Sequence, residues 1–256
     1  MGFHQGWPGV WLVAAAFIAG TLNAVAGGGS FLSFPALLGV GVLPIQANAT
    51  NTVALWPGQL TSIAGFFADL KAHRRLLIPV CSAAFVGGLC GAIVLLHTGQ
   101  ATFMALVPWL LLFATVLFAV SGPVSQWLRE RVSHLPTKET AIAPLVIGVA
   151  AVCFYIGYFG AGAGFLVMSI LALLGIQEIN EINALKVVAT TVANGIAVAT
   201  FIVENQIVWR YCLLMMIAAA IGGFLGAHYS RGLNPRLLRG MIVSIGLAMS
   251  IYFFVK

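Results

Sequence analysis

A chain of 256 residues that is 61% hydrophobic and 7% charged, with a mean hydropathy of +1.05, is not a soluble domain; in soluble domains roughly a quarter of positions carry charge. Twelve Lys and Arg against six acids give a net charge of +6. Those bases lie between apolar runs and not on a continuous basic face, which points to orientation in a membrane and excludes nucleic acid as a partner.

A hydrocarbon core about 30 Å thick takes roughly 20 apolar residues per helical crossing, so a chain of this length holds about eight to ten crossings and little else. A β-barrel would alternate apolar and polar positions, whereas this chain has long continuous apolar runs. The predicted class is an all-α polytopic membrane protein of about eight full spans plus short half-helices. Apolar segments run over 7–26, 31–42, 47–68, 76–96 and 103–121. The first lacks a basic flank and a small-residue cleavage site, so it is expected to be retained and not removed as a signal peptide. A polar linker follows at 122–140, with Arg129, Glu130, Arg131, His134, Lys138 and Glu139 between Gly122 and Thr140. A second apolar series occupies 141–159, 165–174, 184–203, 209–229 and 237–255.

The two series share one rhythm. Sliding the second back by about 134 residues places Phe165-Leu166 on Phe31-Leu32, and one further residue places Asn183-Ala184 on Asn48-Ala49. Val188-Ala189 then meets Val53-Ala54, Glu204 meets Asp69, and Gly222-Gly223-x-x-Gly226 meets Gly87-Gly88-x-x-Gly91. Matching glycines, asparagines and an acid at a fixed offset indicate internal duplication, common in secondary transporters. The expected organisation is a first transmembrane repeat at 1–121, a cytoplasmic linker at 122–140 and a second repeat at 141–256.

Each half contains an apolar run broken by glycine: Gly27-Gly28-Gly29-Ser30, and Gly160-Ala161-Gly162-Ala163-Gly164. Such breaks leave backbone groups unpaired in hydrocarbon, which is tolerable where protein or a water-filled cavity surrounds them. Paired breaks point to a binding site near the midplane, and close helix packing through small residues is the structural alternative. Packing is the better reading for Gly87, Gly88, Gly91 and their counterparts. If each break turns the chain back as a re-entrant hairpin, the repeats are inverted. Nine bases then share one side, from Lys71, Arg74 and Arg75 through Arg129, Arg131 and Lys138 to Arg231, Arg236 and Arg239. The positive-inside rule favours that arrangement over parallel repeats, and it places both termini outside.

Polar residues follow each break. Asn48, Thr50 and Asn51 precede one long apolar run, and Asn183 and Lys186 open its counterpart, with Gln59 and Asn194 deeper along the same helices. Amides, hydroxyls, one ammonium group and the N-termini of broken helices together suit an oxyanion. The site residues expected from this pattern are Gly27, Gly28, Gly29, Ser30, Asn48, Thr50, Asn51, Gly160, Gly162, Gly164, Asn183, Lys186 and Asn194. Lys186 has an equally weighted alternative, a snorkelling or Glu181-paired lysine near a helix end. Asp69 and Glu204 read as solvated or salt-bridged helix ends.

No catalytic set is expected. Cys81, Cys90, Cys153 and Cys212 have no C-x-x-C spacing, no His or carboxylate cluster has metal-ligand spacing, and no nucleophile or P-loop motif occurs. No cofactor and no metal are expected.

The run from Gly27 to Gly39 (Gly27-Gly28-Gly29-Ser30-Phe31-Leu32-Ser33-Phe34-Pro35 and onward), followed by Ala47-Asn48-Ala49-Thr50-Asn51, resembles the first signature of the sulfite exporter TauE/SafE family of membrane permeases. The second half supplies a counterpart in Gly157-Tyr158-Phe159-Gly160-Ala161-Gly162-Ala163-Gly164, Asn183-Ala184-Leu185-Lys186, Asn194 and Gly222-Gly223-x-x-Gly226. The resemblance covers essentially the whole chain. It implies transport of small sulfur-containing anions, such as sulfite or organosulfonates like sulfoacetate, across the bacterial inner membrane, by export or proton-linked movement. Leu185 stands where similar proteins often carry a hydroxyl, and Ser30 where a further glycine is common. Both departures bear on substrate preference.

The reading is therefore a multi-pass inner-membrane secondary transporter working by alternating access, with a small anion and the bilayer as partners and a homodimer admitted. An anion or small-solute channel is the alternative, and a membrane-embedded enzyme is weaker.

Overall fold

A computed structural model describes residues 8–25, 28–65, 74–132, 142–173, 176, 179–229 and 235–255. All regular structure among them is helical: α1 (Pro8–Val25), α2 (Ser30–Gly39), α3 (Pro44–Gly65), α4 (Arg74–His97), α5 (Gln100–Val132), α6 (Ile142–Tyr158), α7 (Ala163–Leu173), α8 (Ile179–Val203), α9 (Trp209–Tyr229) and α10 (Pro235–Val255). The all-α membrane class read from the sequence holds. Among the described residues, three stretches are long and apolar enough to cross a bilayer, Arg75–His97, Gln100–Val120 and Glu181–Val203, and six further apolar stretches are shorter.

Large apolar side chains face outward, with Ile147 70%, Phe224 74% and Ile78 78% exposed. In water such a surface would drive association, while in hydrocarbon it costs nothing. The interior combines large side chains such as Phe31, Phe34 and Phe201 with many small ones, including Ala16, Ala19, Ala84, Ala92, Ala189 and Ala193, all buried. Small residues let helix backbones approach closely, which is how helices associate where lipid removes the hydrophobic driving force.

Three boundaries differ from the sequence reading. Helix α5 continues through Gly122 and Pro123 to Val132, so the first part of the polar linker is helical. Gln126, Leu128, Arg129, Glu130 and Arg131 are straight-chain helix formers, and this outweighs one lost hydrogen bond at proline. Helices α3 and α8 begin at Pro44 and Ile179, ahead of the apolar runs, so Asn48 and Asn183 each sit one turn inside a helix and not at its start.

The described chain forms two compact units. The first comprises 1–58, 98–115 and 201–256, and the second 59–97 and 116–200. Each draws helices from both sequence halves. In the first unit α1 packs on α9 without space for side chains: a Cβ on Gly20 would strike the carbonyl of Ala219, and one on Gly222 the carbonyl of Phe17. Thr21 Oγ1 adds a hydrogen bond to the Gly222 carbonyl at 2.9 Å. In the second unit α4 packs on α6 in the same manner. There Gly87 meets Ala150, Gly91 meets Phe154 and Gly157 meets the carbonyl of Gly88. The core of this unit joins Val80, Ala84, Leu145, Cys153, Val167, Leu171 and Leu185.

Candidate functional site

In the first unit the glycine break leads into α2. Gly27 lies outside the described residues. Gly28 and Gly29 are buried, and Gly29 has ordinary right-handed helical backbone (φ −59°, ψ −36°). What demands glycine here is space. A Cβ on Gly29 would meet the Ala19 carbonyl of α1, and one on Gly28 would stand 2.6 Å from Ile242 Cγ2 of α10. Ser30 is half-buried at the start of α2.

One turn on, the Ser33 hydroxyl faces the carbonyl of Gly29 at 3.1 Å and Asn51 Oδ1 at 2.5 Å. Both Ser33 and Asn51 are buried. Thr50, one residue earlier on α3, turns about 100° to another face of its helix. There its Oγ1 accepts the backbone N–H of Val208 at 3.0 Å, next to the start of α9. That bond satisfies one of the donors a helix N-terminus leaves open. Asn48 is also buried, at 2% exposure. This cluster is neutral throughout.

In the second unit the break between α6 and α7 takes a different form. Gly160 and Gly162 adopt left-handed backbone, φ +77° and +71°. An L side chain there costs about 1 kcal/mol or more. The N–H groups of Phe159 and Gly160 both donate to the Tyr155 carbonyl, at 2.9 and 3.0 Å, ending α6. Tyr155 Oη donates to the Ala161 carbonyl at 2.8 Å, so one side chain ties the helix end to the middle of the break. Helix α7 then starts at Ala163.

Beside that start runs Lys186. Its Cδ lies 3.9 Å from where a Gly164 Cβ would stand, and its Nζ donates to Asn183 Oδ1 at 3.2 Å. Asn183, one turn back on α8, is a side chain that holds the ammonium. Further along α8, Asn194 Nδ2 donates to Gln59 Oε1 at 3.1 Å and to the Thr190 carbonyl at 3.0 Å. Asn194 Oδ1 lies 3.8 Å from the position of a Gly160 Cβ. The break thus lies along α8, with Gly160 near Asn194 and Gly164 near Lys186. Those two residues are eight apart on the helix, about 12 Å along its axis, so one small ion cannot touch both.

The sequence-predicted residues therefore form two clusters in different compact units. Gly28, Gly29, Ser30, Asn48, Thr50 and Asn51 belong to the first, and Gly160, Gly162, Gly164, Asn183, Lys186 and Asn194 to the second. The charge is in the second alone among these residues. Sequence reasoning missed Ser33, Tyr155 and Thr190, and it left Gln59 out of the site. Tyr155 carries a weak signal, a hydroxyl five residues before a glycine break. Gln59 carries a stronger one, since it stands 135 residues before Asn194. Glu204 is exposed just past the end of α8, as expected of a solvated end, and Asp69 lies outside the described residues. Among the described residues no group of three or more His, Cys, Asp or Glu could hold a metal. The four cysteines are free.

The family model described as Sulfite exporter TauE/SafE matches residues 12–253 of this chain. The chain belongs to the sulfite exporter TauE/SafE family. It is similar to a "Probable membrane transporter protein" of Haemophilus influenzae, 27% identical over 241 residues that cover 93% of this chain and 91% of the relative. It is also similar to the "Probable membrane transporter protein ORF9" of Sinorhizobium sp, 26% identical over 94% of this chain and 90% of that protein. The "Probable membrane transporter protein YfcA" of Escherichia coli K12 is 25% identical over 93% of this chain and 87% of its own length. No solved structure matches it. This TauE/SafE member is a membrane transporter by its family and by the relatives it resembles along nearly its full length.

Proposed function

We propose that this TauE/SafE member is a secondary transporter that exports small sulfur oxyanions, sulfite or a short organosulfonate, across the bacterial inner membrane. The observation that carries the reading is Lys186. An ammonium in a helix long and apolar enough to cross a membrane is costly, and such a group is most often part of a substrate or ion path. Its side chain runs beside the first turn of α7, and the positive dipole end of a helix favours an anion. Asn183 holds the ammonium from one side and leaves its other hydrogens available for oxyanion oxygens.

The left-handed Gly160 and Gly162 let the chain turn directly into α7, and the reading is supported by Lys186 Cδ lying 3.9 Å from the Cβ position of Gly164 in its first turn. The neutral Ser33, Thr50 and Asn51 cluster of the first unit adds hydroxyls and amides but no charge. Duplication with inversion, and alternating access through the two halves, complete the proposal. Transport leaves the anion chemically unchanged, which separates it from an enzyme. Saturation and uphill accumulation separate it from a channel.

Purified protein in vesicles loaded with sulfite should show saturable counterflow of external sulfite, and an imposed pH gradient should drive accumulation if movement is proton-linked. Replacement of Lys186 by Met should abolish counterflow. Full flux in that variant would remove the lysine from the site.

A further inference from the structure

We infer that Gln59 and Asn194 form a self-paired contact of the internal duplication, and that Gln59 is a positioning residue for the glycine break that opens α7. The inference rests on the transport reading of that same break. The offset that places Asn183 on Asn48 and Gly222 on Gly87 is 135 residues, from 183 − 48 and 222 − 87. The same offset places Asn194 on Gln59, since 194 − 59 is also 135. The two amides that meet at 3.1 Å are thus counterparts of one another. A residue that meets its own counterpart in the other half is a self-paired contact.

Each unit also has a close helix contact between the two halves of the sequence. Helix α1 meets α9 through Gly20 and Gly222, and α6 meets α4 through Gly157 and Gly87. Each pairs the opening helix of one half with the Gly-Gly-x-x-Gly helix of the other, and Gly222 and Gly87 are counterparts at the same offset. Near the pair α8 is held tightly: a Cβ on Gly88 of α4 would lie 2.7 Å from the Ala193 carbonyl and 2.9 Å from Ile196 Cγ2. The backbone of α8 is fixed there, and what remains adjustable is the Asn194 side chain.

Its orientation is determined by hydrogen count. The Asn194 amide has two hydrogens, and one goes to the Thr190 carbonyl and the other to Gln59 Oε1. Both donors are spent, so Oδ1 is the atom left on the side of Gly160, whose left-handed turn begins the break. Without Gln59 the amide loses one of the two acceptors that fix it, and the turn loses a defined neighbour. Asn194 lies too far along α8 to share a small anion with Lys186, which makes the pair a support for the turn and not a ligand.

The test uses full-length protein in vesicles with inorganic sulfite as the probe. Variants are Gln59→Leu, Asn194→Leu, and the exchange Gln59→Asn with Asn194→Gln. Each single variant should lower maximal counterflow by about fivefold, the scale of one interhelical amide bond, with the KM for sulfite within about twofold of wild type. The exchange keeps an amide on each helix and should recover most of the loss. Unchanged flux in the single variants, a shift confined to KM, or an exchange no better than either single variant would overturn the inference.

Thermal unfolding of the same four proteins keeps the two readings apart. Should wild type show no saturable sulfite flux, the substrate reading fails on its own. The pair is then decided by melting: recovery in the exchange relative to both single variants supports it, and equal melting of all four overturns it.

Discussion

Lys186 Nζ donates to Asn183 Oδ1 across 3.2 Å, one helical turn back along α8 and beside the glycine that opens α7. An amide partner is neutral and does not itself cancel the positive charge, whereas a carboxylate partner would. Asn183→Leu should therefore raise the KM for sulfite by about three- to tenfold while maximal flux changes less, because the ammonium stays but loses its aim. Concentration dependence of counterflow reads this directly. A variant with wild-type KM would mean that Asn183 does not orient the lysine.

Tyr155 offers a second test. Its hydroxyl holds the Ala161 carbonyl inside the break, and Tyr155→Phe removes that one bond while keeping the ring. Loss of one such bond should cost about 1 kcal/mol of stability, seen as a lower melting temperature. Flux should fall as well, since Gly160 and Gly162 would be free to relax.

Thr50 separates a structural hydroxyl from a substrate hydroxyl. Thr50→Val leaves the Val208 N–H without its acceptor, while Thr50→Ser retains it. The valine variant should melt lower by an amount corresponding to about 1–3 kcal/mol, and the serine variant close to wild type. An unchanged melting temperature with a raised sulfite KM in the valine variant would give the hydroxyl to the substrate.

The glycines should divide by what surrounds them. Gly91→Ala would drive a methyl into the Phe154 carbonyl and should destabilise by about 1–3 kcal/mol. Gly58→Ala meets nothing within 4 Å in the middle of α3, so alanine should be neutral or stabilising by up to about 1 kcal/mol. Gly160→Ala should be costly for a third reason, its left-handed backbone, and Gly160→Asn should be tolerated better. Thermal unfolding of the three alanine variants ranks these effects.

Some of this was legible without coordinates. Scarcity of charge and long apolar runs identify an all-α membrane protein, because hydrocarbon permits little else with unpaired backbone polar groups. Glycine clusters followed by Asn51 or Lys186 carry the family resemblance, because the order of small and polar residues survives in linear sequence. The same order yields the 135-residue offset. Helix starts were misplaced at Pro44 and Ile179 because apolar periodicity begins later than the backbone hydrogen bonds do.

Other features belong to the fold. Gly29 and Gly160 look alike as letters, yet one is there for space against Ala19 and the other for its backbone angle. Thr50 and Asn51 are neighbours in sequence, but helical geometry sends one to Val208 and the other to Ser33. The sequence by itself determined the medium, the helical class and the family, since these depend on composition and local order. Only the tertiary structure decided that Lys186 leans on Asn183 beside the start of α7, and that Gln59 meets Asn194. Those contacts depend on which helices cross and at what height, and side-chain reach of a few ångströms is not written in spacing along the chain.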